Sequence, residues 1–294
     1  MLRAAGFRID VIYPADDPHT AILSKDRERV RLIKPDAEPL PQGMPAFQPE
    51  SVLTKARAPP GQGRAGMLYR DLIPGRLGGR YIASHITIPG GGPVADWVHY
   101  HRVALQMIFV RRGWVRVVYE NQGAPFVMNE GDLVLQPPEI RHRVLESSAG
   151  LEVIEIGAPA LHETFADHAM ALPGGERPER VYSGQRFLRH VAAETPWTPF
   201  SGVEAQETAM TLATAGLCDV RTIRPGVAGT IEFPPHDGEL RFGFVLDGSA
   251  SLNGNPVEAT DAFVIRPGEP WTLSGMSADF RLLHVTTARL DAAT

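Results

Sequence analysis

Three histidines, separated by a fixed pattern of strand-like and turn residues, constrain this chain more than any other feature. His99 and His101 are one residue apart, so in a β-strand both side chains point to the same face. His142 follows a strand-like segment at 132–136 and a Pro-Pro pair, which ends that strand. The pattern predicts a β-barrel that brings the three imidazoles to one metal ion.

Gln106 is the candidate fourth ligand. It opens the next apolar segment, in which Gln106, Ile108 and Val110 share a face, and its spacing from His101 predicts a turn or bulge between the two strands. Three neutral imidazoles and a neutral amide would leave the charge of a divalent ion uncompensated. Such a site should favour an anionic ligand such as an enolate, a phenolate or a carboxylate.

The same residues, with Gly113, Gly131 and Pro137, resemble the two motifs of the cupin superfamily. The first motif runs from a His-x-His pair through a glutamate to a glycine, and the second runs from a glycine through Pro-x-Gly to a histidine. Gln106 stands where the family usually has the glutamate ligand, and Glu139 stands where it usually has a turn glycine, a position that glutamate fits less easily. The resemblance implies an all-β, double-stranded β-helix (jelly-roll) barrel with a metal held by His99, His101, Gln106 and His142. The alternative is a cupin barrel that keeps its histidines for packing or for a small-molecule pocket.

Composition fits this class. Apolar residues make up 43% of the 294 residues, and the 29 glycines and 26 prolines are typical of short strands joined by tight turns. A net charge of −5 indicates neither a nucleic-acid partner nor a membrane-surface partner. Cys218, the single cysteine, excludes an intrachain disulfide, and no segment looks like a membrane span or a signal peptide. We therefore expect a cytoplasmic protein.

Four segments are expected along the chain. The first contains strand-like pieces at 7–13 and 30–34, followed by a Pro-, Gly- and Gln-rich stretch that should cross the barrel surface or exchange with a second subunit of a homodimer. A short helix is expected at 159–170, with His162 and His168 as surface histidines. The predicted boundaries are 1–80 for an N-terminal extension, 81–158 for the metal-binding barrel, 159–200 for a linker of helix and loop, and 201–294 for a second barrel.

The second barrel is predicted from internal similarity. Laying Gly248 on Gly113 and Pro267 on Pro137 puts four residues at the ligand positions: Pro234, His236, Arg241 and Thr272. Proline carries no donor atom in its side chain and arginine is cationic, so this barrel should hold no metal. His236 is expected to be structural, and anion binding is the alternative role for Arg241.

A bicupin with one active and one degenerate barrel, here over residues 81–294, is similar to the gentisate dioxygenase class, whose members hold ferrous iron on three histidines. The first hypothesis is therefore a non-haem Fe(II) dioxygenase acting on a small, anionic, chelating substrate, aromatic or enolisable. The substrate should contact an apolar wall that includes Ile108, Val110 and Val144, and Glu146 is a candidate general base on the strand of His142. The alternatives are a redox-neutral isomerase, cyclase or lyase that uses zinc, nickel or manganese as a Lewis acid, and a non-enzymatic small-molecule-binding protein.

Overall fold

The structure, a computed structural model, describes residues 2–57, 60–63 and 66–290. Its regular secondary structure consists almost entirely of antiparallel strands, which confirms the all-β prediction. The described residues contain two short α-helices, α1 (Arg76–Gly79) and α2 (Met210–Ala213), and 3-10 turns at Arg3–Ala5 and Ala192–Glu194. None of the described helices has the length and apolar character needed to cross a membrane.

The first sixteen strands are β1 (Arg8–Tyr13), β2 (Thr20–Lys25), β3 (Glu28–Ile33), β4 (Val52–Thr54), β5 (Gly61–Gln62), β6 (Leu68–Asp71), β7 (Ile82–Ile88), β8 (Gly92–Pro93), β9 (His99–His101), β10 (Leu105–Arg112), β11 (Trp114–Tyr119), β12 (Phe126–Asn129), β13 (Leu133–Leu135), β14 (His142–Ser147), β15 (Leu151–Ala158) and β16 (Thr164–Ala166). The remaining strands are β17 (Val181–Tyr182), β18 (Gln185–Arg186), β19 (Leu188–His190), β20 (Thr198–Phe200), β21 (Val203–Glu207), β22 (Cys218–Arg224), β23 (Thr230–Phe233), β24 (Arg241–Asp247), β25 (Ser249–Leu252), β26 (Asn255–Glu258), β27 (Ala262–Val264), β28 (Trp271–Ser274) and β29 (Arg281–Thr287).

Two facing sheets form the first barrel. One has the strand order β12-β11-β14-β9-β16-β1-β2-β3, with β8 paired to β14, and the other has the order β19-β13-β10-β15-β7-β6-β5. Alternation along the strands decides which residues are enclosed: in β11, Val115 and Val117 are buried while Arg116 between them is exposed. The inward-facing residues build an apolar cluster around the centre of the barrel.

The second barrel repeats this arrangement with sheets ordered β20-β21-β22-β29-β24-β27-β4 and β23-β28-β25-β26. Aromatic side chains fill much of its interior, and Phe233, Phe263, Trp271 and Phe280 are all buried there. A separate apolar cluster joins the two barrels, because Met107 and Ile154 of the first pack in one group with Phe242 and Leu283 of the second. The barrels therefore share a core.

The N-terminal segment contributes strands to both barrels. Strand β1 pairs with β16 and so adds β1–β3 to the first barrel, whereas β4 pairs with β27 of the second barrel. Lys55 Nζ, next to β4, lies 2.7 Å from a carboxylate oxygen of Asp261. Strand β6 then returns to the first barrel by pairing with β7, and β5 pairs with β6.

The predicted helix at 159–170 is wrong. Residues 164–166 form β16 instead, which pairs with the histidine-bearing strand β9, and this pairing satisfies backbone groups at an edge that would otherwise be open. His162 is buried, not on the surface, and its ring centroid lies 5.5 Å from that of His101. His168 is partly exposed, and its Nε2 lies 2.8 Å from the carbonyl oxygen of Ile9.

Candidate metal centre

The three predicted histidines meet inside the first barrel. His99 and His101 occupy alternate positions of β9, and His142 begins β14 directly opposite His99 in the antiparallel pair. All three side chains are buried, and one nitrogen from each ring lies within 4.8 Å of the others. Among the described residues, this is the one group of three or more His, Cys, Asp or Glu side chains with such a geometry.

Hydrogen bonds at Nδ1 orient each ring. His99 Nδ1 lies 2.8 Å from the carbonyl oxygen of Trp97, and His142 Nδ1 lies 3.0 Å from that of Ile140. A carbonyl oxygen accepts only, so both of these Nδ1 atoms carry the proton and Nε2 is the atom through which each ring would bind a metal. His101 Nδ1 lies 3.0 Å from the hydroxyl of Thr164, a group that can donate or accept, so this contact orients the ring without fixing its tautomer. Such outer hydrogen bonds are the usual support of metal-binding imidazoles.

Gln106 lies in the same cavity and is tied to a carboxylate. It is buried on β10, and its Nε2 donates to Oε1 of Glu155 on β15 at 2.7 Å. With the amide nitrogen engaged by Glu155, Oε1 of Gln106 is the atom suited to a metal. Glu155 also changes the charge expected for this site, because a carboxylate stands one hydrogen bond away from the amide.

Glu155 is a candidate functional residue that was not predicted from the sequence. Its signal was present in β15, where Val153, Glu155 and Gly157 alternate onto one face, and Val153 and Glu155 line the cavity. A lone carboxylate on the inner face of an otherwise apolar strand is the unusual feature. It becomes informative once β15 is known to lie beside β10, where Glu155 pairs with Ile108.

The cavity is small and mostly apolar. Its volume is about 80 Å³, well below the roughly 300 Å³ at which pockets for drug-sized ligands begin. Of the predicted wall residues, Ile108 and Val144 line it, whereas Val110 packs in the core of the barrel. The described wall also includes Met67, Tyr69, Ile86, Ile88, Val115, Val117, Tyr119, Met128, Gln136 and Val153.

Tyr119 supports the site from one side. Its ring stacks on that of His142 with centroids 5.4 Å apart, and its hydroxyl accepts a hydrogen bond from Gln136 Nε2 at 2.8 Å. Burial raises the pKa of Tyr119 far above its ordinary value, so the hydroxyl stays protonated and neutral at physiological pH. Tyr119 therefore supplies shape and a proton donor but no negative charge.

The prediction for Glu146 is wrong. The pairing of β14 with β11 shifts register, so that Val144 faces Val117 but Glu146, two residues later, faces Arg116. Arg116 is exposed on the outer face of β11, and Glu146 does not line the cavity. A β-bulge at this point reverses the alternation on which the prediction depended.

Glu139, the second departure from the cupin motif, adopts the conformation that the motif requires. Its φ is +60°, and its backbone N–H donates to the carbonyl oxygen of His101 at 3.1 Å. Gly268 of the second barrel has φ +81° and donates in the same way to His236 at 3.0 Å. The turn is thus kept in both barrels, with glutamate in the left-handed region in the first.

These hydrogen bonds also define which residues of the two barrels correspond. The Gln136 N–H donates to the carbonyl oxygen of Gln106, and the Ile265 N–H donates to that of Arg241. Arg241 therefore matches Gln106, as predicted. Pro267, however, matches Pro138, because it follows Ile265 by two residues as Pro138 follows Gln136.

Trp271, not Thr272, consequently occupies the position of His142. The strand pairing agrees, since Phe233 lies opposite Trp271 as His99 lies opposite His142. Thr272 faces away from the centre, and its backbone N–H donates to Asn253 Oδ1. The placement of Thr272 was wrong by one residue, because the sequence alignment was fixed on the wrong member of the Pro-Pro pair.

The donor set of the first barrel fits a divalent metal. Three imidazoles with anchored Nδ1 atoms and an amide oxygen are nitrogen and oxygen ligands of intermediate softness, which suit iron, zinc, nickel or copper. In the second barrel, the corresponding places are taken by Phe233, His236, Arg241 and Trp271, a set that does not suit a cation.

Comparison with known proteins supports the same architecture. Residues 84–157, which carry the three histidines, match the family model described as a cupin domain. No curated protein matches the chain.

Solved structures of two-barrel proteins match at low sequence identity. The protein YlbA from E. coli is 13% identical with a TM-score of 0.57, and the match covers 84% of this chain and 94% of that one. Oxalate decarboxylase from Bacillus subtilis is 11% identical with a TM-score of 0.55, over 87% and 79% of the two chains. A glyoxylate-induced protein from Pseudomonas aeruginosa is 15% identical with a TM-score of 0.55, over 86% and 94%. The fold is that of two cupin β-barrels.

Proposed function

We propose that this two-barrel cupin protein is a metal-dependent enzyme whose N-terminal barrel transforms a small organic anion. The observation that carries the proposal is the buried cluster of three oriented histidines beside a carboxylate in a small cavity. His99, His101 and His142 would hold a divalent ion through Nε2, and Gln106 would hold it through Oε1. When bound, the metal supplies a Lewis acid that polarises an oxygen of the substrate.

Size and charge restrict the substrate. A cavity of about 80 Å³ favours a molecule of a few non-hydrogen atoms, and a divalent cation held by neutral ligands attracts carboxylate or enolate oxygens. The apolar wall, including Ile108 and Val144, keeps water away and so strengthens these electrostatic interactions. The name of one structural neighbour, oxalate decarboxylase, supports a small carboxylate as the substrate class.

Glu155 favours redox-neutral chemistry as the first candidate. Its carboxylate lines the cavity and holds Gln106 in place, so it can accept a proton from the substrate and return it at a neighbouring atom. This is the requirement of a lyase, a decarboxylase, an isomerase or a cyclase. Glu155 takes the role of general base that the sequence analysis gave to Glu146.

An Fe(II) dioxygenase is the second candidate. The observation in its favour is the mostly apolar wall around the three histidines, which suits a hydrophobic or enolisable substrate and the entry of dioxygen. The two candidates differ in the metal they require and in whether dioxygen is consumed. Both differ from a non-enzymatic binding protein, which would release its ligand unchanged.

The experiment is anaerobic purification, metal analysis and a turnover screen with small carboxylates and enolisable acids, monitored by product analysis and an oxygen electrode. We expect close to one metal per chain in the native protein, loss of the metal in His99→Ala and normal loading in the matched control His236→Ala. Turnover without oxygen uptake supports the redox-neutral enzyme, and oxygen uptake with bound iron supports the dioxygenase. Equal metal loss in both variants, or a metal-free native protein that binds but never converts its ligands, would refute the proposal.

Glu155→Gln separates catalysis from metal binding. The amide preserves the size of the side chain but cannot take up the proton. We expect the variant to retain the metal and to lose turnover by roughly 10²–10⁴-fold, the usual contribution of a general acid or base. Unchanged turnover would exclude the role of Glu155 in proton transfer.

A further inference from the structure

The centre of the second barrel contains a buried cation with no partner of opposite charge among the residues that the structure describes. Arg241, at the position of Gln106, is 9% exposed, and its Nη1 donates a hydrogen bond to the carbonyl oxygen of Pro234 at 2.6 Å. Among the described residues, no Asp or Glu oxygen lies within ion-pair distance of it. A buried, uncompensated guanidinium costs several kcal/mol in general, so a fold that keeps one usually provides a counter-ion.

Several other polar groups around Arg241 also lack protein partners. Buried atoms without a hydrogen bond in the described structure include Arg241 Nε, Trp271 Nε1, His236 Nδ1 and both ring nitrogens of His284. The tryptophan and guanidinium atoms are donors only, and a neutral imidazole offers one donor. Trp271 is 1% exposed and His284 is 6% exposed, so solvent does not satisfy these groups from the surface.

These side chains form one cluster. The rings of Trp271 and His284 lie 5.5 Å apart, and Phe233 stacks on Trp271 at 4.0 Å between centroids. Arg241 and Gly243 share one face of β24, and Gly243 lies opposite His284 on β29, so the guanidinium and this ring are on the same face of the sheet. Burial, with the charge of Arg241 as a further cause, lowers the pKa of His284 to about 3. Burial and the same charge also lower the pKa of His236.

The cluster corresponds residue by residue to the metal centre of the first barrel, with the opposite electrical character. Arg241 replaces Gln106, Trp271 replaces His142, and His284 lies opposite Gly243 on β29 as Glu155 lies opposite Ile108 on β15. Groups that would donate electron pairs to a cation in the first barrel are replaced by groups that donate hydrogen bonds. A site built in this way accepts an anion.

We propose that the second barrel binds a small monovalent anion, a halide or a carboxylate of formate size, between Arg241, Trp271 and His284. Phe233, Trp271 and the other side chains of this core pack the interior of the barrel, which favours a small anion over a large one. This site is separate from the metal centre, and the inference does not depend on the proposed enzymatic function.

Bromide in place of chloride tests the site directly. Crystals of the native protein grown or soaked in sodium bromide should give an anomalous peak within hydrogen-bonding distance of Arg241 Nε. The absence of any peak there, with bromide found only at surface lysines and arginines, would overturn the proposal. This measurement uses the native protein and does not depend on the folding of a variant.

Thermal unfolding gives the second test. At constant ionic strength, replacing gluconate, a larger anion, with chloride or formate should raise Tm logarithmically, on the order of 3 °C for each tenfold increase above the Kd. A response to chloride alone would identify a halide site, and a response to formate alone would identify a carboxylate site. No response to either anion would contradict the proposal.

Arg241→Met should abolish this response, and Arg224→Met is the matched control. Arg224 lies at the end of β22 and is paired with Glu204, so its loss removes the same charge but not the anion site. An Arg241→Met protein that keeps the native anion dependence would refute the assignment. If that variant fails to fold, Arg241→Lys, which keeps the charge but loses the guanidinium fork, should weaken the response at least tenfold.

Discussion

Breaking the buried ion pair between Arg80 and Glu239 from one side should strongly destabilise this protein. Arg80 donates from Nε and Nη2 to the two carboxylate oxygens of Glu239 at 2.9 and 2.5 Å, and the two side chains are 9% and 5% exposed. Arg80 also donates to the carbonyl oxygens of Pro45 and Leu290, and Tyr81 donates to Glu239 at 3.2 Å. One guanidinium thus connects the N-terminal segment, the second barrel and the C-terminal end of the described chain.

Arg80→Met removes the cation but keeps a side chain of similar length. The change leaves the carboxylate of Glu239 buried with the Tyr81 hydroxyl as its hydrogen-bond donor, and it leaves two carbonyl oxygens without this donor. Breaking a buried, hydrogen-bonded pair from one side costs about 3–5 kcal/mol. Lys34→Met breaks the exposed pair of Lys34 and Asp17, whose side chains are 57% and 75% exposed, and should lower the free energy of unfolding by no more than about 1 kcal/mol.

Denaturant unfolding of Arg80→Met, Glu239→Leu and the double variant measures the effect. The shared apolar core between the barrels predicts one cooperative transition, so the free energies of unfolding can be compared. The double variant should be less destabilised than the sum of the single variants by roughly 1–3 kcal/mol, because it leaves no unpaired charge. A loss below about 1 kcal/mol for Arg80→Met, or strictly additive effects, would refute this account of the pair.

Three further predictions concern single positions. Gln106→Glu places a second carboxylate 2.7 Å from Glu155, so the metal-free variant should be less stable than the native protein, and added metal should raise its Tm by more. In the control Gln106→Leu, added metal should raise Tm by less than in the native protein. Equal rises in Tm for the three proteins would contradict the site. Glu139→Gly relieves a φ of +60° and should change the free energy of unfolding by about 0 to +1 kcal/mol. A clear decrease in the free energy of unfolding, measured with urea, would contradict this prediction. The pKa of His284 in the folded protein is about 3, below the value of about 6.5 in the unfolded chain. This residue should therefore lower the free energy of unfolding as pH falls from 6.5 towards 3, by up to about 1.4 kcal/mol per pH unit. His284→Gln should flatten the pH dependence of the free energy of unfolding in that range, and an unchanged slope would refute the prediction.

The part of the site that depends on local geometry was predictable from the sequence. His99 and His101 share a face because strand alternation is fixed over two residues, and the turn before His142 was marked by its prolines. The all-β architecture followed from the same short-range signals. The bounds of β9 and the core of β10 accordingly agree with the predicted segments.

The part that depends on pairing between distant strands was not predictable in this way. Glu155 joins Gln106 only because β15 pairs with β10 in one particular register, and Glu146 is turned outward by a single bulge in β14. Thr272 was predicted in the place that Trp271 occupies, since two adjacent prolines allow two alignments. The errors at Glu146 and Thr272 are each a shift of one residue, and in a strand such a shift exchanges the inner and outer faces.

The pairing of β4 with β27 has a consequence for how this protein is made. Residues 52–54 leave the ribosome long before residues 262–264, with which they pair. The edge of the second barrel therefore stays incomplete until residues 262–264 are made, and contacts of such long sequence separation slow folding and expose strand edges meanwhile. It also follows that residues 201–294 expressed alone would carry an open strand edge at β27, and that a peptide spanning 44–57, supplied in trans, should improve their solubility.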